Sequence, residues 1–251
     1  MRNLIYKIYE GRLAKTIPAQ SMPHHIAVIL DGNRRWAALK DGHTAKDGHT
    51  AGAIKTKEFL GWCDELGIEM VTIYLLSTDN LTNRKSQELG DLLGVIDDLV
   101  NTLTEAGRWK LQLVGDRNLL PELLCDTIEK AETKTAKTKG LHVNLAIAYG
   151  GRHEITDAVK SILSKNSNKT IDELAESLTP ELIGEHLYTS GHPDPDLVIR
   201  TSGEQRLSGF LIWQSANSEF YFEEALWPDF RKVDFLRAVR AFANRHRRFG
   251  A

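Results

Sequence analysis

Cysteine is nearly absent: Cys63 and Cys125 are the only two in 251 residues. They fall in separate stretches with no metal-ligand spacing. That excludes a disulfide-stapled fold and a Cys/His zinc site, and leaves two reduced structural thiols. Net charge is also small, -2 at pH 7, so the composition draws the chain neither to nucleic acid nor to an anionic membrane. No apolar run approaches the roughly 20 residues of a membrane span. The N-terminus lacks a signal-peptide cleavage pattern. Motifs of the types G-x-x-x-x-G-K-[ST], G-x-G-x-x-G and G-x-S-x-G are missing as well. The compartment expected is the cytoplasm.

What is present is an alternation of short apolar runs and helical periodicities. The runs His25–Leu30, Met70–Leu76, Leu111–Gly115, Leu141–Ala148, Leu197–Arg200 and Phe210–Trp213 read as strands. Between them, Ala51–Leu66, Gln87–Ala106, the stretch from Pro121 to Gly140, Glu154–Leu163 and Val233–Arg248 read as helices. The expectation is an α/β fold, a single domain with a central, mainly parallel six-stranded sheet flanked by helices. Ser164–Thr170 reads as a surface loop. Residues 1–22 form an amphipathic extension and 23–251 the body. The extension either docks on the body, which is the expectation, or makes a peripheral contact with the inner face of the cell membrane. The basic stretch Arg231–Arg248 reads as a solvated helix face or a subunit contact rather than a nucleic-acid patch.

Polar clusters follow several of the expected strands, where ligands bind in α/β folds. Asp31-Gly32-Asn33-Arg34-Arg35-Trp36 offers an acid for a magnesium ion, a tight turn with open N–H groups and two arginines for phosphate. Ser77-Thr78-Asp79-Asn80 can orient a substrate, and Arg84 follows within reach of a phosphate. Tyr149-Gly150-Gly151-Arg152 permits close backbone approach. Arg200 and Arg206, with Ser202 and Ser208, form an anion-binding candidate through charge-assisted, forked bonds. Glu219 sits in an aromatic run and needs a partner or a metal. Asp41-Gly42-His43-Thr44-Ala45-Lys46 is repeated at once as Asp47-Gly48-His49-Thr50-Ala51-Gly52. Only one copy can occupy a given place in a site. The second runs straight into a helix, so His49 is the candidate rather than His43.

Taken in order, His25–Ala37, Gly48–Gly52, Tyr74–Asn80, Asn144–Arg152, Asp196–Glu204 and Phe210–Phe222 with Trp227-Pro228 resemble the cis-prenyltransferase family. The paired Asp-rich motifs of the all-helical prenyl-chain synthases are absent. The resemblance implies Mg²⁺-dependent condensation of isopentenyl diphosphate with an allylic diphosphate, by a homodimer, forming a cis double bond. It makes Asp31 and Asn80 catalytic candidates and gives Asp31 and Glu219 to the metal. Gly32, Asn33, Arg34, Arg35, Trp36, His49, Ser77, Thr78, Asp79, Arg84, Arg200, Arg206 and Ser208 become substrate-binding candidates. Arg248-Phe249-Gly250 resembles a tail that reaches the partner subunit's site in some members. The chain departs from the pattern at Arg34 (usually glycine), Asp79 (glutamate), Leu81 (tryptophan) and Gln205 (histidine). One extra residue precedes Arg84. Leu75 and Leu81 resemble the short-chain subgroup, which implies that Leu75 blocks the product tunnel and that the product is (2Z,6E)-farnesyl diphosphate made from geranyl diphosphate. A medium- or long-chain polyprenyl diphosphate synthase and a non-catalytic partner subunit stay open as alternatives.

Overall fold

β1 (His25–Ile29) is buried along its whole length. A strand covered on both faces reads as an unbroken apolar run, which is how this one reads. The computed structural model of the chain describes residues 2–245. It runs α1 (Arg2–Lys15), β1, α2 (Asn33–Ala38), α3 (Ala45–Glu65), β2 (Met70–Ser77), α4 (Thr78–Asn83), α5 (Ser86–Ala106), β3 (Lys110–Val114), α6 (Glu122–Thr135), β4 (His142–Tyr149), α7 (Gly151–Lys165), α8 (Ile171–Ser177), α9 (Pro180–Gly184), β5 (Leu197–Arg200), β6 (Glu219–Phe222) and α10 (Lys232–Ala243). The six strands are all parallel, in the order β3-β4-β2-β1-β5-β6. The chain leaves β1 toward β2 on one side and returns to β5 on the other. The β1/β5 junction is therefore the switch point, where a crevice opens beyond the carboxyl ends of the strands.

The sixth strand is not the one expected. Phe210 and Leu211 are fully buried, but they lie in turns, with Leu211 at φ 43°. Phe210 stacks on Tyr74 with ring centroids 4.5 Å apart. Burial by packing on the sheet face, not pairing in the sheet, explains that apolar run. The strand is instead the aromatic Glu219–Phe222.

One face of the sheet carries the larger core, built on α3, α5, α6 and α10. α5 shows why its sequence makes a helix. Leu92, Val95, Ile96, Leu99, Val100 and Leu103 recur at helical spacing and are all buried, and Gly107 ends the helix in the left-handed conformation. Fully burying each such side chain contributes about 1.5–3 kcal/mol. The opposite face holds a smaller cluster, in which Tyr74, Tyr149, Leu207, Phe210 and Leu211 surround Ala27, Ile29, Ala146 and Val198.

Much of the basic C-terminal stretch is matched by acids. Buried Asp234 pairs with Arg231 and Arg237, Lys232 with Glu65, and Arg245 with Glu219. The rings of Tyr6 and Tyr9 on α1 lie under Arg231 and Arg237, so α1 packs on α10. Arg247, Arg248 and the Arg248-Phe249-Gly250 tail lie outside the described residues. Among the described residues no helix is long and apolar enough to cross a membrane.

At the other end of the strands, polar side chains form a chain of bonds under the sheet. Asn144 Nδ2 donates to Thr72 Oγ1 at 3.1 Å, the Thr72 hydroxyl meets His25 Nε2 at 2.8 Å, and His25 Nδ1 meets the Pro193 carbonyl at 2.8 Å. A carbonyl only accepts, so His25 carries its proton on Nδ1 and is satisfied when neutral. Burial brings its pKa down from 6.5 to about 4. The unfolded state thus binds the extra proton first as pH falls. The stabilisation is full above pH 6.5 and is lost toward pH 4, about 3 kcal/mol from this one group. Urea midpoints measured at pH 7 and 4.5 are expected to differ accordingly. Equal midpoints in the wild type would contradict a buried neutral His25.

Candidate active site at the sheet switch point

Asp31 and Arg200 meet across the β1/β5 junction. The register pairs Ile29 with Arg200, so the residues just beyond each strand end face the same crevice. Arg200 Nη2 donates to Asp31 Oδ2 at 2.8 Å, and its Nη1 donates to Ser208 Oγ at 2.8 Å and to the Arg206 carbonyl. Arg200 is only 4% exposed, and its Nε has no partner among the described residues. The Asp31 N–H donates to Thr201 Oγ1, which locks the two strand ends together. Burial pushes the Asp31 carboxyl up, but Arg200, Ser202 and Arg35 outweigh it and hold the group below the usual carboxylate range. Asp31 is therefore ionised throughout the neutral range.

The approach to this point depends on close backbone contact. Gly32 caps α2 at φ 109°, and a Cβ there would lie 2.8 Å from Leu226. The two copies of the hexapeptide adopt different conformations. The first is a turn closed by Thr44, which caps α3 reciprocally with Asp47. The second is helix, and Gly48 rests on the Asn33 backbone, where a Cβ would collide with the carbonyl. The histidines differ in the same way. His43 is exposed against the edge of Trp36, whereas His49 is buried and its Nε2 lies 3.2 Å from Arg84 Nη1. A guanidinium cannot accept, so His49 Nε2 is the acceptor. Burial and the Arg84 charge hold the His49 pKa down at about 4.

These residues line one cavity of about 790 Å³, within the range of about 300–1,000 Å³ usual for small-molecule sites. Its polar end brings together Asp31, Gly32, Asn33, Arg34, Arg35, His49, Ser77, Asp79, Asn80, Arg84, Arg200, Arg206 and Ser208. Arg35 lies 3.6 Å from Asp31 Oδ1 and donates to Ser202 Oγ, and Arg206 pairs with Glu204. Ser77 Oγ accepts from the Asn80 N–H at 3.0 Å and caps α4, which sets Asp79 and Asn80 at the rim. The apolar end consists of Leu75 and Leu76 with Leu92, Val95, Ile96 and Leu99 of α5. Here β2 is irregular: Tyr74 pairs with Ala146 and Leu76 with Ile147, which leaves Leu75 as the extra residue of a bulge. The bulge breaks the alternation, so Leu75 and Leu76 both join the larger core while Tyr74 faces the other side.

Four candidates are not brought to the cavity wall. Trp36 donates from Nε1 to Asp229 and lies under Lys40. Thr78 is buried with its hydroxyl beneath Gly150, where a Cβ would lie 2.5 Å away. Leu81 packs on the larger core. Glu219 begins β6 in register with Leu197, at the end of the strands opposite Asp31, and is paired with Arg245. The helical spacing of leucines and isoleucine over Gln87–Ala106 makes a helix apolar enough to line a tunnel, and Leu92, Val95, Ile96 and Leu99 are its residues at the cavity. Sequence reasoning missed Tyr74, which also lines the cavity, and whose burial raises its pKa to about 12 and keeps the hydroxyl neutral.

A cavity with five arginines against three carboxylates (Asp31, Asp79 and Glu204) at one end and aliphatic walls at the other defines a binder of amphiphiles with strongly anionic heads. The chain belongs to the undecaprenyl diphosphate synthase family: the family's sequence model, described as "Putative undecaprenyl diphosphate synthase", matches residues 29–250. Among curated relatives, a (2Z,6E)-farnesyl diphosphate synthase of Thermobifida fusca is 52% identical, with 100% of this chain and 98% of that protein covered. A short-chain Z-isoprenyl diphosphate synthase of Mycobacterium bovis is 49% identical over 100% of this chain and 97% of its own. The crystal structure of lavandulyl diphosphate synthase from Lavandula x intermedia, in complex with dimethylallyl diphosphate, superposes with a TM-score of 0.85 at 36% identity, covering 92% of this chain and 100% of that one.

Removing Asp31 leaves the Arg200 cation buried without its counter-ion. Asp31→Ala is expected to cost roughly 1–3 kcal/mol of unfolding free energy, less than a fully buried pair because Asp31 is partly solvated. Asp31→Asn, which keeps an acceptor, is expected to cost less than the alanine. Urea unfolding of the two variants checks this, and equal costs would mean that Arg200 does not depend on the acceptor.

Proposed function

We propose that this protein joins C4 of isopentenyl diphosphate to C1 of geranyl diphosphate, forming one cis double bond as a proton leaves C2 of isopentenyl diphosphate and releasing diphosphate, with (2Z,6E)-farnesyl diphosphate as product. The observation that carries the reading is the Asp31–Arg200 contact, which sets an acid and a phosphate-binding guanidinium side by side in one cavity. Two diphosphates then lie next to each other. The allylic one faces Asp31, the turn Gly32-Asn33-Arg34-Arg35, His49 and Arg84. The isopentenyl one faces Arg200, Arg206 and Ser208. Such side-by-side binding converts a bimolecular reaction into an effectively unimolecular one.

As the allylic C–O bond breaks, charge grows on the leaving diphosphate, and the preorganised arginines lower the cost of that charge. Ser77, Asp79 and Asn80 orient the substrates at the rim. A divalent ion fits the donor set. Among the described residues no three His, Cys, Asp or Glu side chains cluster as a complete protein cage. Magnesium typically takes one or two carboxylates together with substrate phosphates. Asp31 would hold Mg²⁺, which when bound neutralises diphosphate charge. Glu219 is paired away from this cavity, so the proposed metal role rests on Asp31.

Leu75 and the α5 side chains limit the tail. The Leu75 bulge supports a short product, because the leucine occupies the cavity beside the aliphatic wall of α5. The packing of α1 on α10 favours reading residues 1–22 as a docked extension rather than a membrane contact. The working unit is read as a homodimer, on the resemblance to the family.

The purified chain, given Mg²⁺ with geranyl and isopentenyl diphosphates, is expected to make a C15 product, and Asp31→Ala to lower turnover about a thousandfold or more, the scale of losing a principal electrostatic group. Wild-type-like turnover in that variant would remove Asp31 from the mechanism. Leu75→Ala is expected to shift the product by at least about one isoprene unit. Chain-length analysis of the extracted products checks this, and an unchanged distribution would refute the blocking role.

A further inference from the structure

Two like charges meet at the allylic side of the cavity. Arg34 comes from α2 and Arg84 from the end of α4, and both line the wall. Arg84 is nearly enclosed, with its side chain 12% exposed, whereas Arg34 is 60% exposed. Burial, followed by the Arg34 charge, lowers the Arg84 pKa, which reflects the strain of holding these cations together. A single oxygen joins them: Glu88 Oε1 lies 2.8 Å from Arg84 Nη1 and 3.4 Å from Arg34 Nη1. Glu88 stands in the first turn of α5, where a carboxylate is favoured by the helix dipole, and on a long helix packed into the core. Its carboxylate is not part of the cavity wall. It therefore holds the two guanidiniums from behind.

We propose that Glu88 is a positioning residue for the allylic diphosphate. It fixes the separation of the Arg34 and Arg84 guanidiniums so that both face one diphosphate group, and it keeps Arg84 beside His49. This also gives Arg34 a place in the site: its charge reaches the corner where Arg84 and His49 converge. The proposal rests on the reading of this cavity as a prenyl diphosphate site.

The sign of the effect separates positioning from charge balance. Glu88 is an acid close to an anion-binding corner. If it were only a counter-ion, neutralising it would strengthen diphosphate binding. If it positions the arginines, neutralising it weakens binding in spite of the added positive charge. Glu88→Gln is expected to raise the KM for geranyl diphosphate about tenfold, which corresponds to about 1.4 kcal/mol. The KM for isopentenyl diphosphate and kcat are expected to change less than about twofold, as is usual when only ground-state binding of one substrate is lost. In an Arg34→Ala background the same change is expected to have a smaller effect, since residues in one network are not additive. An unreactive thio analogue of geranyl diphosphate, titrated by calorimetry, gives the same comparison without turnover. A wild type that binds the analogue but does not form product would overturn the functional reading and leave Glu88 testable. A lowered or unchanged KM for geranyl diphosphate in Glu88→Gln, or equal rises for both substrates, would overturn the positioning role.

Discussion

A guanidinium buried to the extent of Arg200 has to be neutralised where it lies, because unpaired burial of charge is costly. Asp31 does this from the neighbouring strand, and the geometry follows from the sheet. β1 and β5 are parallel neighbours at the switch point, so the residues after their last pairs converge. Stability and chemistry share the same contact. The pair that closes the top of the sheet also lines the cavity, with a carboxylate and a guanidinium side by side. On the proposed reading, diphosphates and a divalent ion would take over these interactions.

The tandem hexapeptide shows how position decides what a sequence does. Both copies contain Asp-Gly-His-Thr. In the first, Thr44 ends the turn and starts α3, and His43 stays in solvent. In the second, glycine serves close approach to Asn33, and His49 is carried into the cavity. A short duplication is tolerated here because the extra copy extends a surface turn. The copy that reaches the cavity is the one fused to the helix.

Much of this was legible in the residues. Unbroken β-branched runs gave five strands, the polar groups after β1, β2 and β5 pointed to the crevice, and His49 could be preferred over His43. The mistakes have physical causes. Phe210–Trp213 is as apolar as a strand, but its burial comes from packing on Tyr74, and local composition cannot distinguish the two. β6 was hidden because an edge strand with an acid and half-buried aromatics lacks the signature of a buried one. The bulge at Leu75 depends on how β2 pairs with β4, a relation between distant segments. So does the separation of Glu219 from Asp31, which is set by register. Trp36 and Thr78 lie in the right segments but turn toward Asp229 and Gly150, since neighbours in sequence point in different directions on a helix.

The most direct test is a crystal structure with magnesium, isopentenyl diphosphate and an unreactive thio analogue of geranyl diphosphate. The account predicts the analogue's diphosphate, with the ion, at Asp31, Arg34 and Arg84, and the isopentenyl diphosphate at Arg200, Arg206 and Ser208. The prenyl tail is expected to run past Leu75 along α5. Diphosphates in separate cavities, or a tail on the opposite face of the sheet against Tyr149 and Phe210, would contradict it.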